Sequence, residues 1–144
     1  MDDEHPAAPF KLPETYFTRY LGLQTESPEP GRTVVAVELQ PHHLNIAGAV
    51  HGGFFMTVLD TLMGHAVFTY LGSPAARFAT SSMTTHFLEA VRGGTLTGEG
   101  RVVKKGELYV AAEAELRDGD GRLVATAEAI FTFLRTESQL SHGR

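Results

Sequence analysis

Residues 52–71 read GGFFMTVLDTLMGHAVFTYL, and the fold turns on what this run becomes. Phe55, Leu59, Leu62, Met63, Ala66, Val67 and Tyr70 recur at intervals of three and four, the spacing of one helix. Such a helix is roughly 30 Å long. Apolar residues occupy most of its circumference, so it is expected to be buried on more than one side. The run is long enough to cross a bilayer, but Asp60, His65, Thr57 and Thr61 lie near its middle and favour a buried helix. Gly72, Ser73 and Pro74 end it.

The flanks are read outward from this helix. Residues 1–13 carry three prolines and no periodicity, and are expected to form an arm. Residues 14–135 form a single domain, and the polar stretch 136–144 a tail. ETYFTRYLG (14–22) suits a short helix, and SPEPGR (27–32) a turn. RTVVAVELQP (32–41) alternates Val35, Val37 and Leu39 against Thr33, Ala36 and Glu38, a half-buried strand that Pro41 ends. Four more strands follow. ARFATSSMTTHFLEAV (76–91) sets Ala79, Ser81, Met83, Thr85 and Phe87 on one face. TLTGEGRVVKK (95–105) and ELYVAAEAELR (107–117) join through Lys105-Gly106-Glu107. RDGDGR (117–122) is a hairpin turn into LVATAEAIFTFLR (123–135). One long helix with a run of antiparallel strands gives an α+β domain, the sheet curving around the helix. Ala112, Ala114, Ala125, Ala127 and Ala129 would let the helix approach closely.

Composition narrows the function classes. Of 144 residues, 42% are hydrophobic and 20% charged, which suits one domain with one core. The net charge of -5 offers no clustered basic face for nucleic acid. There is no cysteine, which excludes disulfides, thiolate metal sites and a thiol nucleophile. The opening MDDEHPAAPFKLPETYF has acids where a signal peptide is basic, so a cytoplasmic protein is expected. No nucleophile elbow, phosphate-binding loop, dinucleotide fingerprint or H-E-x-x-H is present. Any chemistry has to come from histidines, carboxylates, hydroxyls and backbone amides.

Two features of the helix suggest such chemistry. Gly52 and Gly53 stand at its start, where N–H groups lack intrahelical acceptors and the helix dipole is positive. Such an end can hold a carbonyl oxygen that gains negative charge in acyl transfer. A Gly-Gly pair can also simply start a helix tightly. Asp60 is a carboxylate in an apolar helix, beside Gly53, Met56, Thr57 and Gly64 on a face of little bulk. It is seven residues from Gly53, roughly 10 Å along the axis, too far for both to act on one carbonyl. Two subunits with antiparallel helices could combine them twice, by symmetry. His42, His43, His51, Asp60 and His65 have no ligand spacing on one element, so no metal site is expected.

HLNIAGAVHGG (43–53), with Asp60 nine residues after His51, resembles the hotdog-fold acyl-CoA thioesterases of the phenylacetate-pathway (PaaI-like) type. The matching residues are His43, Asn45, Gly48, His51, Gly52, Gly53 and Asp60, and the resemblance runs from Tyr16 to Leu134. It implies a long helix wrapped by an antiparallel sheet, assembled as a homodimer or a dimer of dimers. It implies Asp60 as nucleophile or general base, and the Gly53 amide, with that of Gly52, as oxyanion donor. Asn45 would orient the water or the thioester, His51 would hold the loop or bond near the sulfur, and Thr80 would steady the water. His43 falls among the substrate contacts, and Arg92, Lys104, Lys105 and Gly106 stand where the family contacts coenzyme A. The substrate implied is an acyl-CoA with an aromatic or medium-chain acyl group, with no cofactor besides the coenzyme A it carries. Met56, Phe54 and Phe87 are candidates for the acyl pocket. Two other readings share the fold: a non-catalytic acyl-CoA-binding protein, and an enoyl-thioester hydratase, whose motif is absent here.

Overall fold

The structure, a computed structural model, describes Leu12 and residues 15–134; the expected arm and tail otherwise lie outside the described residues. The elements are α1 (Tyr16–Tyr20), β1 (Thr25–Glu29), β2 (Arg32–Glu38), a 3-10 turn (Pro41–His43), α2 (Gly52–Leu71), β3 (Phe78–Phe87), β4 (Thr95–Lys105), β5 (Tyr109–Arg117) and β6 (Leu123–Phe133). The strands form one antiparallel sheet in the order β1-β2-β4-β5-β6-β3. This is the hotdog arrangement: a sheet curled around α2.

The helix is where its periodicity puts it. Leu59, Leu62, Met63, Ala66 and Val67 are fully buried, and all but Ala66 belong to one core with Val35, Leu96, Val110, Leu116, Val124 and Phe131. Gly72, at φ +64°, closes its last turn with an N–H bond to the Phe68 carbonyl. The alanines of β5 and β6 are buried as expected, but the closest approach is on β4. A Cβ at Gly100 would lie 2.8 Å from the Leu62 backbone, and one at Gly98 2.6 Å from Leu116 and 2.8 Å from Leu62. Beside them Thr33 donates to the Leu62 carbonyl at 2.6 Å.

Three sequence expectations change. The stretch 27–32 is not all turn: Thr25–Glu29 is an edge strand, and the turn is confined to Pro30 and Gly31. Its polar residues give no periodicity, and an edge tolerates Pro28 because one side of the strand needs no donor. Thr33 is buried on the same face as Val35 and Val37, since its hydroxyl has the Leu62 carbonyl to bond. On β3 a bulge between Thr80 and Ser82 shifts the alternation. Phe78 and Thr80 precede it, Met83, Thr85 and Phe87 follow it, and all five stand opposite Phe133, Phe131, Ala129, Ala127 and Ala125 on the helix side. Ala79 and Ser81, expected on that face, do not share it.

Candidate active site

The segment between the 3-10 turn and α2 is a tight loop held largely by Asn45. Its Oδ1 accepts from the N–H groups of Ala47 (2.9 Å) and Ala49 (3.1 Å). Its own N–H donates to the Ala49 carbonyl, and Gly48, at φ +76°, returns an N–H to the Asn45 carbonyl. Those two bonds to Oδ1 fix the amide orientation, leaving the Nδ2 hydrogens as exposed donors. Arg92 braces the same loop from outside, donating to the Ala47 carbonyl at 2.9 Å.

His51 is the N-cap of α2, and its Nδ1 accepts from the Gly53 N–H at 2.9 Å. Nδ1 is thereby the acceptor, so Nε2 of the neutral ring carries the hydrogen. The Gly53 amide expected as oxyanion donor is already committed to His51. The helix-start amide without a partner among the described residues is that of Gly52. No acid occupies the first turn of α2 to neutralise the dipole there.

His43 departs from its expected place among the substrate contacts. It is only 2% exposed and stacks on Phe54 with ring centroids 4.1 Å apart. Nδ1 accepts from the Gln40 N–H at 3.0 Å, so Nε2 donates to the Leu21 carbonyl at 2.9 Å. Both ring nitrogens are used, and burial pushes its pKa below the ordinary histidine value. The residue ties α1 and the first turn of α2 to the loop, and its carbonyl also receives the His51 N–H.

Asp60 is half buried on the stripe of α2 that carries Gly53, Met56, Thr57 and Gly64. Thr80 donates to Asp60 Oδ1 at 2.7 Å, a contact that exists because the β3 bulge turns Thr80 toward the helix. Gly52 lies eight residues back, roughly 12 Å along the axis, so one chain holds the two groups apart.

The sheet register sorts the remaining residues into two ends. Lys105, Val110, Phe131 and Thr80 lie on one row across the sheet, which puts Lys104 and Lys105 at the Asp60 end. Leu116, Ala125 and Phe87 mark the other end, with Gly52, Asn45 and Arg92. Gly106 is needed by its own hairpin, because the Tyr109 ring fills the space of a Cβ. Lys105 reaches the Gly106 carbonyl and lies 5.8 Å from the Phe133 ring centre. His65 is bonded to the Thr25 hydroxyl at 2.6 Å, away from both ends. Two contacts of residues already singled out have no local signal in the chain: the brace from Arg92 to the Ala47 carbonyl, and the Phe87 ring set against Gly52. A cleft of about 530 Å³ on the outer sheet face, among Gln24, Val34, Glu99 and Arg117, contains none of these groups.

Comparison with known proteins places the arrangement. The thioesterase superfamily model matches residues 47–125, from the Asn45 loop through α2 to β6. A Saccharolobus solfataricus protein provisionally named an esterase is 32% identical over 90% of this chain and 91% of its own. A Ralstonia eutropha structure, provisionally named a thioesterase related to phenylacetic acid degradation, superposes with a TM-score of 0.75 at 27% identity, covering 83% of this chain and 91% of that one. A Streptococcus pneumoniae protein described as a hypothetical thioesterase, solved with coenzyme A, shares the fold at a TM-score of 0.71 and 23% identity, over 78% of this chain and 85% of that one. With its helix-start amide, its Asp60–Thr80 pair and these likenesses, the chain belongs to the thioesterase superfamily, among the PaaI-like hotdog proteins, and is a thioester hydrolase.

Proposed function

We propose that the protein hydrolyses acyl-CoA thioesters to the free acid and coenzyme A at sites shared between two subunits. The observation that carries this reading is the separation within one chain of an unpartnered Gly52 amide from the Asp60–Thr80 pair. β3 is the last strand of the sheet, so its outer edge has no neighbour among the described residues. A long free edge is a pairing surface. Antiparallel pairing of two β3 edges about an axis between Met83 and Thr84 sets Thr80 opposite Phe87 of the partner subunit. That symmetry brings the Asp60 end of one chain to the Gly52 end of the other. Lys104 and Lys105 then come toward Arg92 of the partner subunit, a set of cations suited to the phosphates of coenzyme A.

In this scheme the thioester carbonyl accepts from the Gly52 N–H at the positive end of α2. Asn45 offers its Nδ2 hydrogens to the same oxygen or to the attacking water. Asp60 of the partner subunit drives attack on the carbonyl carbon, directly or by taking a proton from water. Thr80 holds Oδ1 and leaves Oδ2 to act. The tetrahedral oxyanion collapses, the C–S bond breaks, and the sulfur leaves as thiolate toward the His51 Nε2–H. If Asp60 attacks directly, water then cleaves the acyl-aspartate; either way one water is consumed and one acid and one thiol are released. No metal or organic cofactor enters the scheme.

The test is incubation with a panel of aromatic and straight-chain acyl-CoAs, measuring acid and thiol together. Stoichiometric release of both from some members is expected. Tight binding of acyl-CoA with no release would instead favour the binding-protein reading.

A further inference from the structure

Phe87 is not used by the chemistry above, yet beyond the chain neighbours of Gly52 its ring is the side chain nearest that residue's Cβ position. It ends β3 on the helix side, and its Cε1 and Cζ lie 3.4 and 3.6 Å from the Cβ position of Gly52. The ring is 53% exposed, while the Phe55 ring beside it, centroids 6.4 Å apart and planes within 24°, is buried. The Leu88 N–H bonds the Val124 carbonyl at 2.9 Å and fixes the backbone just beyond it. An exposed aromatic, held by a buried one, next to a partnerless N–H is a ready-made ligand wall.

We propose that Phe87 is a specificity-determining residue that favours acyl groups flat at the carbonyl, aryl or conjugated, over puckered groups of the same size. This rests on the thioester reading, because it takes the carbonyl to lie at Gly52. With the sulfur directed to His51 as in the scheme above, the other substituent of a carbonyl bonded there, the acyl group, is free to lie alongside the Phe87 ring. A planar group conjugated with that carbonyl can lie parallel to the ring in an offset stack, and a saturated ring cannot. Gly52 permits the approach, since it adds no side chain between ring and ligand.

The test uses a matched pair of ligands, benzoyl-CoA and cyclohexanecarbonyl-CoA, which differ in flatness at equal carbon count. Both are titrated into Asp60→Asn protein, so that turnover does not interfere, with and without Phe87→Leu. Phe87→Leu is expected to lower the preference for benzoyl over cyclohexanecarbonyl by about 3- to 10-fold, the scale of one aromatic stack. Equal weakening of both ligands, or no binding of either to the parent protein, overturns the proposal. Hydrolysis is read separately: wild type that binds both but releases no thiol refutes the hydrolase reading and leaves the binding ratio to decide Phe87.

Discussion

If each site is built from two chains, two inactive proteins should make an active one. The perturbation is to mix Asp60→Asn subunits with Asn45→Ala subunits and let them exchange. Each parent lacks one half-site, and loss of the general base alone should lower kcat by roughly 100-fold. Random pairing makes about half of the dimers mixed, and a two-fold axis gives each mixed dimer two sites. One site then joins wild-type Asn45 and Gly52 to wild-type Asp60, while the other carries both defects. One site in about four is intact, so the mixture should recover about a quarter of wild-type activity, against about one-hundredth in the Asp60→Asn parent and a loss of about the same scale in Asn45→Ala, that of one oxyanion-hole donor. The assay is thiol release from an acyl-CoA, with differently tagged subunits and native mass spectrometry to count mixed dimers. If Asn45 and Asp60 instead served one site within a chain, every site would carry one defect. Activity staying at the average of the parents while mixed dimers are abundant would refute the composite geometry.

Further consequences concern single groups. Thr80→Val removes the hydroxyl that donates to Asp60 and should lower kcat about 10-fold, as expected for a bond to a charged group, with Thr80→Ser near wild type in steady-state kinetics. Gly100→Ala places a methyl 2.8 Å from the Leu62 backbone and should destabilise the fold by about 1–3 kcal/mol, read as a lower denaturation midpoint. His43 and His65 are both pushed below the ordinary histidine pKa by burial, so the unfolded chain binds protons that the folded chain refuses. Their contribution to stability is whole above the unfolded value and lost as pH falls below about 6.5, at up to ~1.4 kcal/mol per pH unit for each group. Denaturant midpoints from pH 8 to 5 check this, and a flat profile below pH 6.5 would contradict it.

The parts legible from sequence were those written in periodicity and local chemistry. The three-and-four spacing of 52–71 announced the helix, and RDGDGR its hairpin, because both signals are local. The Gly-rich helix start and the isolated Asp60 stood out for the same reason. What escaped depends on partners far along the chain. β1 is polar and becomes a strand only by bonding β2. The β3 bulge, which brings Thr80 to Asp60, is set by pairing with β6 and leaves no trace in the alternation. Whether Gly52 or Gly53 has the free amide is decided by the His51 side chain, one hydrogen bond that spacing does not reveal. His43 looked like a substrate contact from its motif position, but its ring is spent on Gln40 and Leu21, the latter 22 residues away.

The proposed mechanism stands on Asp60 and the Gly52 amide acting together to break an acyl-CoA thioester. The measurement that tests it most directly is free-thiol release from acyl-CoAs by wild type and Asp60→Asn side by side, with binding of the same ligands measured for both. Release by the wild type is expected, with a loss of at least ~100-fold in Asp60→Asn and binding retained. Near-normal turnover by Asp60→Asn would contradict it.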